Sequence, residues 1–150
     1  MRDVTIFDVA NWFLSKEAMT PKKLQKLVYY AYAWNYALRK KELFPATYEA
    51  WVHGPVCRAL WQKYNNYGWN DIEKVAVAPT FDNATTDLLE SVWLTYGEKS
   101  ANELEALTHR DEPWQKAREG VPPMEPCTNK ISKEDIQSFY WKLFQETQGE

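Results

Sequence analysis

Four side chains in this sequence are of types that bind metals or assist nucleophiles: His53, Cys57, His109 and Cys127, the only histidines and cysteines in the chain. His53 and Cys57 have i, i+4 spacing, but structural zinc sites usually bring their ligands in paired short spacings, and His53 precedes the predicted helix. Neither histidine lies near a GxSxG motif that would present a nucleophile. We therefore predict no metal and no cofactor, with His53 buried and hydrogen-bonded and Cys57 packed as an apolar residue.

Other chemical motifs point the same way. The sequence has neither a GxxxxGK[ST] nor a GxGxxG segment that would bind phosphate groups. The acidic pairs Asp111–Glu112 and Glu134–Asp135 stand at predicted helix starts, where carboxylates interact favourably with the helix dipole. Capping explains both pairs without catalysis. We predict that the protein is not an enzyme.

The stretch YEAWVHGPVCRALWQKY, residues 48–64, sets two aromatic-rich segments around a Gly-Pro dipeptide. Alternating apolar and polar residues favour an extended segment before the dipeptide. Pro55 disfavours the α conformation at Gly54 and is itself acceptable at a helix start. We expect a rigid corner here, with a helix from Pro55 to about Asn66.

The helix before this corner must position it. Thr20 is a predicted N-cap and Pro21 suits the first helical position. Most of the circumference that follows is apolar or aromatic, as in a helix enclosed by others. The residues concerned are Leu24, Leu27, Val28, Ala31, Trp34 and Leu38, flanked by Tyr30, Tyr32 and Tyr36. We expect the remaining strip, Lys22, Lys26 and Lys40 with Tyr29, to reach water as a basic surface.

The other elements are also mainly helical. Apolar spacing predicts helices within residues 3–17, 88–97 and 132–145, and the SANE segment at residues 100–103 is a capping box. Another helix starts at Pro113. The segment IEKVAVAP, residues 72–79, could pair with residues 48–52. The fold class is therefore mainly α: one compact domain over residues 1–150, with a central aromatic-rich helix and at most a small two-stranded β element.

Composition and charge limit the classes of function. The chain has 150 residues, 45% hydrophobic and 15% aromatic, which indicates a packed globule. It shows no signal peptide or membrane span, and we expect a cytoplasmic protein. The net charge is −3, but residues 16–41 hold seven Lys or Arg and one Glu. Such a basic face beside Tyr and Trp leaves nucleic-acid binding open.

Four segments in this order resemble the Panacea antitoxin domain family, which includes SocA-like and GepA-like phage-associated proteins. They are LQKLVYYAYAW at 24–34, YEAWVHGPV at 48–56, SANELEALTHRDEPWQKAR at 100–118 and ISKEDIQSFY at 131–140. The resemblance implies a helical antitoxin, encoded in a phage or prophage beside a toxin and neutralising it by direct protein contact. It also implies an alternative, in which the protein delivers the toxin to a protease.

The resemblance and the residue types together define candidate site residues. We expect the partner-binding surface to include Trp51, His53, Gly54, Pro55, His109 and Trp114, because aromatic side chains are enriched at binding hot spots. A nucleic-acid-binding phage regulator would instead use the basic surface of Lys22, Lys26 and Lys40. The predicted partner is a cognate toxin encoded nearby.

Overall fold

A computed structural model of the protein describes residues 3–148. The element order is α1 (Ile6–Leu14), α2 (Pro21–Arg39), β1 (Tyr48–Trp51), β2 (Gly54–Cys57), α3 (Arg58–Tyr64), a 3-10 turn (Asn65–Tyr67), α4 (Asn83–Tyr96), α5 (Ala101–Thr108), α6 (Glu112–Ala117) and α7 (Lys133–Gln148). The predicted mainly helical fold with one small β element is confirmed. Within residues 3–148, every helix is too short or too polar to cross a lipid bilayer.

Polar side chains begin most of these helices. Thr20 accepts a hydrogen bond from the backbone N–H of Lys23, and Pro21 follows it, as predicted. Ser100 and Glu103 form the predicted capping box at the start of α5. At α1 the cap is Thr5, which forms a capping box with Asp8. These caps satisfy backbone N–H groups that have no partner inside the helix.

Helix α2 is the centre of the fold. Twelve of its nineteen residues are buried, and it packs against α1, α4, α5, α7 and β2. Its tyrosines contact aromatic rings from several elements: Tyr29 packs edge-on against Tyr48, and Tyr30 stacks on Tyr96 with ring centroids 4.0 Å apart. The prediction of a central aromatic-rich helix is confirmed. Leu38, predicted as part of the apolar stripe, is exposed near the C-terminal end.

The β element differs from the predicted pairing. Strands β1 and β2 are antiparallel and form a tight hairpin in which Trp51 pairs with Gly54 and Ala50 with Pro55. Residues 72–79 form no strand, although Ile72 makes an isolated bridge to Met19. Helix α3 consequently begins at Arg58, three residues after the predicted start. Gly54 has a positive φ of 123°, which lets the chain reverse direction directly after β1. Pro55 is therefore part of strand β2 and does not begin a helix.

A buried carboxylate joins α2, α6 and α7. Asp111 Oδ2 accepts hydrogen bonds from Tyr29 Oη at 3.0 Å and Tyr140 Oη at 2.5 Å. Asp111 Oδ1 caps α6 by accepting from the backbone N–H of Trp114 at 3.1 Å. Burial raises the pKa of Asp111, and these three hydrogen bonds offset that rise only in part. The acid thus has the capping role predicted for it and also holds three helices together.

Asp111→Ala tests this role. The substitution leaves two buried tyrosine hydroxyls and a backbone N–H without their acceptor, and we expect the free energy of unfolding to fall by about 3–4 kcal/mol. Asp82→Ala is the matched control, because Asp82 caps α4 from an exposed position. It should lose about 1 kcal/mol in the same urea unfolding measurement. Equal losses in the two variants would contradict the proposed role of Asp111.

Candidate functional site

The candidate residues from distant parts of the chain meet at the hairpin turn. Trp114 Nε1 donates a hydrogen bond to the carbonyl oxygen of Trp51 at 2.9 Å. His109 Nε2 lies 3.0 Å from the carbonyl oxygen of Val52, which can only accept, so this nitrogen carries the proton. The rings of His109 and Trp114 stack with centroids 4.7 Å apart. The turn between α5 and α6 therefore fixes the backbone of the hairpin.

Gly54 allows the hairpin to approach the helices beneath it. A Cβ atom at this position would lie 2.7 Å from Thr108 Oγ1 and 3.3 Å from Lys26 Nζ. Its φ of 123° is also unfavourable for residues with a side chain. Both constraints require glycine, and they place the hairpin in direct contact with α2 and α5.

The six predicted residues of the partner-binding surface therefore lie together, but they differ in exposure. The prediction that His53 is buried is wrong: it is exposed, with Nδ1 directed to Glu105 at the edge of the hairpin. Trp51 and His109 are half-buried. Gly54, Pro55 and Trp114 are buried. The buried members hold the hairpin in place, so contact with a partner in this conformation falls to the exposed ones.

A groove runs along one side of the hairpin, and we call it the Lys26 groove. Its volume is about 340 Å³, within the range of small-ligand pockets. Apolar side chains form most of its lining, among them Leu24 of α2, Val56 of β2, and Leu60 and Tyr64 of α3. Two indoles flank it: Trp61 is 41% exposed and Trp69 is 78% exposed. Such exposure is unusual for tryptophan and is typical of residues that bind partners.

A second groove, the Met124 groove, also adjoins the hairpin. Its volume is about 590 Å³, and it shares Trp51, His53 and Val56 with the Lys26 groove. The exposed Met124 and the segment 126–128 form its outer wall. Buried Arg118 holds the chain beside this wall, because its guanidinium donates to four carbonyl oxygens. These belong to Ala50, Pro122, Pro123 and Glu125, at 2.7 to 3.2 Å.

Charged groups are concentrated at one end of the Lys26 groove. Glu105 Oε1 lies 2.8 Å from Lys22 Nζ and 2.9 Å from His53 Nδ1. Burial acts to raise the pKa of Glu105, but the contact with Lys22 and the charges around it lower the pKa overall. Glu105 is therefore ionised at neutral pH and compensates Lys22.

Lys26 does not lie on an exposed strip, and the prediction of a continuous basic surface is wrong. Its side chain is 2% exposed, because α3, α5 and β2 enclose this part of α2. Tyr29, assigned to the same strip, is fully buried. Lys22 is paired with Glu105, and Lys40 lies at the other end of the helix, roughly 27 Å away, with Nζ 3.9 Å from the ring centroid of Trp141.

Burial also changes the chemistry of Lys26. Desolvation, with a contribution from the charge of Lys22, lowers its pKa from 10.5 to about 8, while Glu105 opposes the shift. The residues described by the structure provide no hydrogen-bond or ion-pair partner for Nζ. The amine thus has no partner at hydrogen-bond or ion-pair distance, and the charge of Glu105 compensates it only in part.

Several residues of the site were not expected from the sequence. Glu105 and Lys22 are distant in the chain, and nothing in the sequence around either residue predicts that they form an ion pair. Arg118 is followed closely by a proline-rich segment, but nothing in its type indicates burial. Leu60 and Tyr64 form the buried face of α3, and Trp61 points away from that face. Its position relative to these two residues therefore indicates that it is exposed.

The histidines and cysteines do not assemble into a metal site. Within residues 3–148 no group of three or more His, Cys, Asp or Glu side chains has an arrangement that could hold a metal ion. Cys57 and Cys127 are buried free thiols.

Gly54→Ala tests whether the close approach positions the hairpin. We expect a loss of about 3 kcal/mol in the free energy of unfolding, from backbone strain and the contact with Thr108. Gly120→Ala is the control: its φ is 84° and a Cβ atom there would meet nothing within 4 Å. That variant should lose about 1 kcal/mol. A Gly54→Ala protein as stable as the control would show that the hairpin does not need this approach.

Lys26→Met tests how much the buried charge of this amine lowers the stability of the protein. The unfolded chain keeps the proton up to about pH 10.5, the folded protein only to about pH 8, so wild-type stability should rise with pH in this window. The variant should be more stable than wild type by about 3 kcal/mol at pH 7. Its stability should not increase between pH 8 and 10.5, because it lacks the titrating amine. Urea unfolding at pH 7, 8 and 9.5 measures both, with Lys40→Met as an exposed control. A less stable Lys26→Met protein would mean that the amine has a partner.

Comparison with known proteins gives one match. Searches of curated proteins and of solved structures found no match. A family model described as "Antitoxin SocA-like, Panacea domain" matches residues 24–115, more than half of the chain. The matched range begins in α2 and ends in α6, and it contains the hairpin, the α5–α6 turn and the lining of the Lys26 groove except Pro21 and Lys22. The chain therefore belongs to the SocA-like Panacea antitoxin family.

Proposed function

We propose that this protein is the antitoxin of a toxin–antitoxin pair and neutralises its cognate toxin by direct, non-catalytic protein contact. The toxin gene would lie beside its own, in a phage or prophage. Family membership supports the antitoxin role. The observation that supports direct contact is the set of three indoles, Trp51, Trp61 and Trp69, around one groove on the fixed hairpin.

The physical argument for this surface is its combination of rigidity and exposure. Trp51 Nε1 donates to Glu49 Oε1 at 2.9 Å, and the Trp51 ring packs edge-on against Trp61 with centroids 5.5 Å apart. A preorganised aromatic cluster loses little conformational entropy on binding. Burying these rings against a partner would supply apolar contact area together with indole N–H donors.

Observations at the basic residues favour this proposal over a nucleic-acid-binding regulator. Lys26 is buried, and Lys16, Lys22 and Lys23 each lie within ion-pair distance of a carboxylate. Affinity for nucleic acid depends on cations that are free to neutralise phosphates. The proposed surface also accounts for neutralisation without a protease.

The experiment that tests the proposal is co-expression of the adjacent open reading frame with and without this protein. Wild-type protein should restore growth, and a Trp61→Ser/Trp69→Ser variant should not. We expect the dissociation constant of the purified complex to increase at least about 30-fold, equivalent to about 2 kcal/mol. Binding with purified components separates direct contact from delivery to a protease.

Leu94→Ser provides the matched control. Leu94 is the most exposed of the large apolar residues, at 83%, and lies on α4 away from the groove. It should bind and neutralise like wild type. A toxic neighbour that wild-type protein fails to neutralise would overturn the proposed function. Full binding by the double tryptophan variant would overturn only the proposed surface.

A further inference from the structure

Lys26 lines the Lys26 groove, and its buried amine, beside Gly54, has no partner among the residues that the structure describes. Lys26 is 2% exposed and lies in the lining of the groove. No residue described by the structure forms a hydrogen bond or an ion pair with Nζ. A buried ammonium group normally has a counter-ion or hydrogen-bond acceptors, because its desolvation is otherwise uncompensated.

The neighbouring polar groups do not contact this amine. Glu105 Oε1 lies at ion-pair distance from Lys22 and His53 but not from Lys26, on which it acts only through its charge. The side-chain amide of Gln25 donates to the carbonyl oxygen of Cys57 at 3.0 Å and accepts from its N–H at 3.2 Å. Thr108 Oγ1 donates to the carbonyl oxygen of Glu105. An acceptor for Lys26 must therefore enter the groove from outside.

The apolar walls of the groove indicate which chemical group lies next to that acceptor in the ligand. Val56, Leu60 and Tyr64 form an apolar face beside the amine, and the exposed indoles of Trp61 and Trp69 extend it outward. This arrangement suits a ligand with an anionic group next to an apolar side chain. A free phosphate or a nucleic-acid backbone would leave the apolar face in contact with water.

We infer that the Lys26 groove binds an acidic segment of the partner protein, with a carboxylate on Lys26 and an adjacent aromatic or aliphatic side chain against Leu60 and Trp61. The inference rests on the proposed function for the identity of the partner, the toxin. The carboxylate supplies the missing charge, and burial strengthens the resulting ion pair relative to one at the surface.

Charge at the groove gives the inference a pH signature. The titratable groups facing Lys26 are Lys22 on α2, His53 on the hairpin, Tyr64 on α3 and Glu105 on α5. A bound carboxylate stabilises the ammonium form and raises the pKa of Lys26 from about 8. Affinity should consequently fall as the pH rises above 8, because the free protein then loses the proton that binding requires.

A pair of small probes tests the groove in the full chain. The probes are 3-phenylpropionate and its uncharged amide, titrated at pH 7 while NMR follows the Lys26 side chain. We expect the carboxylate to bind at least about tenfold more tightly than the amide. Binding of the carboxylate should then raise the pKa of Lys26 by about one unit, and binding of the amide should leave it unchanged. Lys26→Met should bind the two probes equally, whereas Lys40→Met should keep the preference.

Two results would overturn the inference at this stage. One is equal affinity of the wild type for carboxylate and amide. The other is a preference that persists in Lys26→Met. Inorganic phosphate that competes as strongly as the carboxylate would also overturn it, because the apolar face would then contribute nothing.

Toxin neutralisation separates this inference from the proposed function. With wild-type protein neutralising the toxin, Lys26→Met should weaken toxin binding about tenfold and remove the decrease in affinity between pH 8 and 9.5. Unchanged toxin binding by Lys26→Met would overturn the acidic-segment inference and leave the antitoxin function intact. A toxin that the wild type never binds would overturn the proposed function, even where the carboxylate probe still occupies the groove.

Discussion

The enclosure of α2 is the constraint on which the rest of the structure depends. A helix packed on most of its circumference must bury some polar side chains, and α2 buries Gln25, Lys26 and Asn35. Gln25 satisfies the backbone of Cys57, and Asn35 donates to the carbonyl oxygen of Lys41 at 2.9 Å. These bonds attach both the hairpin and the chain after α2 to the central helix. Lys26 alone among the three is left without an internal partner.

The structure separates residues that fix the hairpin from residues that face solvent. Trp114 and His109 bind backbone carbonyl oxygens of the turn, and Gly54 removes the side chain that would hold it away from α5. The outward positions of Trp51 and His53 follow from this attachment. A motif such as WVHGP with LTHRDEPW therefore serves the scaffold, and the surface it presents is only part of the motif.

The sequence predicted the helices well because their signals are local. Thr20–Pro21 and the SANE capping box lie within one helical turn of the structure they begin. The predicted pairing of residues 72–79 with residues 48–52 was wrong, because alternation of apolar and polar residues does not indicate which strand a segment pairs with. Gly54 closes the turn through a backbone angle that the Gly-Pro dipeptide alone did not reveal.

The site was predicted in part for the same reason. The family resemblance singled out residues of the hairpin and of the α5–α6 turn as candidates, and the structure places them together. That they bind a partner stays a prediction. Lys26 was placed on the surface because lysine is usually exposed. Its burial arises from α3, α5 and β2, which approach it from distant parts of the chain. The exposed indoles of Trp61 and Trp69 likewise depend on where α3 and the following loop end.

Arg118 has a consequence for sequence variation. It holds the segment 122–125 through main-chain oxygens, which every amino acid supplies, so this anchoring does not depend on the side chains of the segment. The exposed positions there, Met124 among them, can therefore change type while the backbone stays in place. The wall of the Met124 groove can thus acquire a new chemical character at little cost in stability.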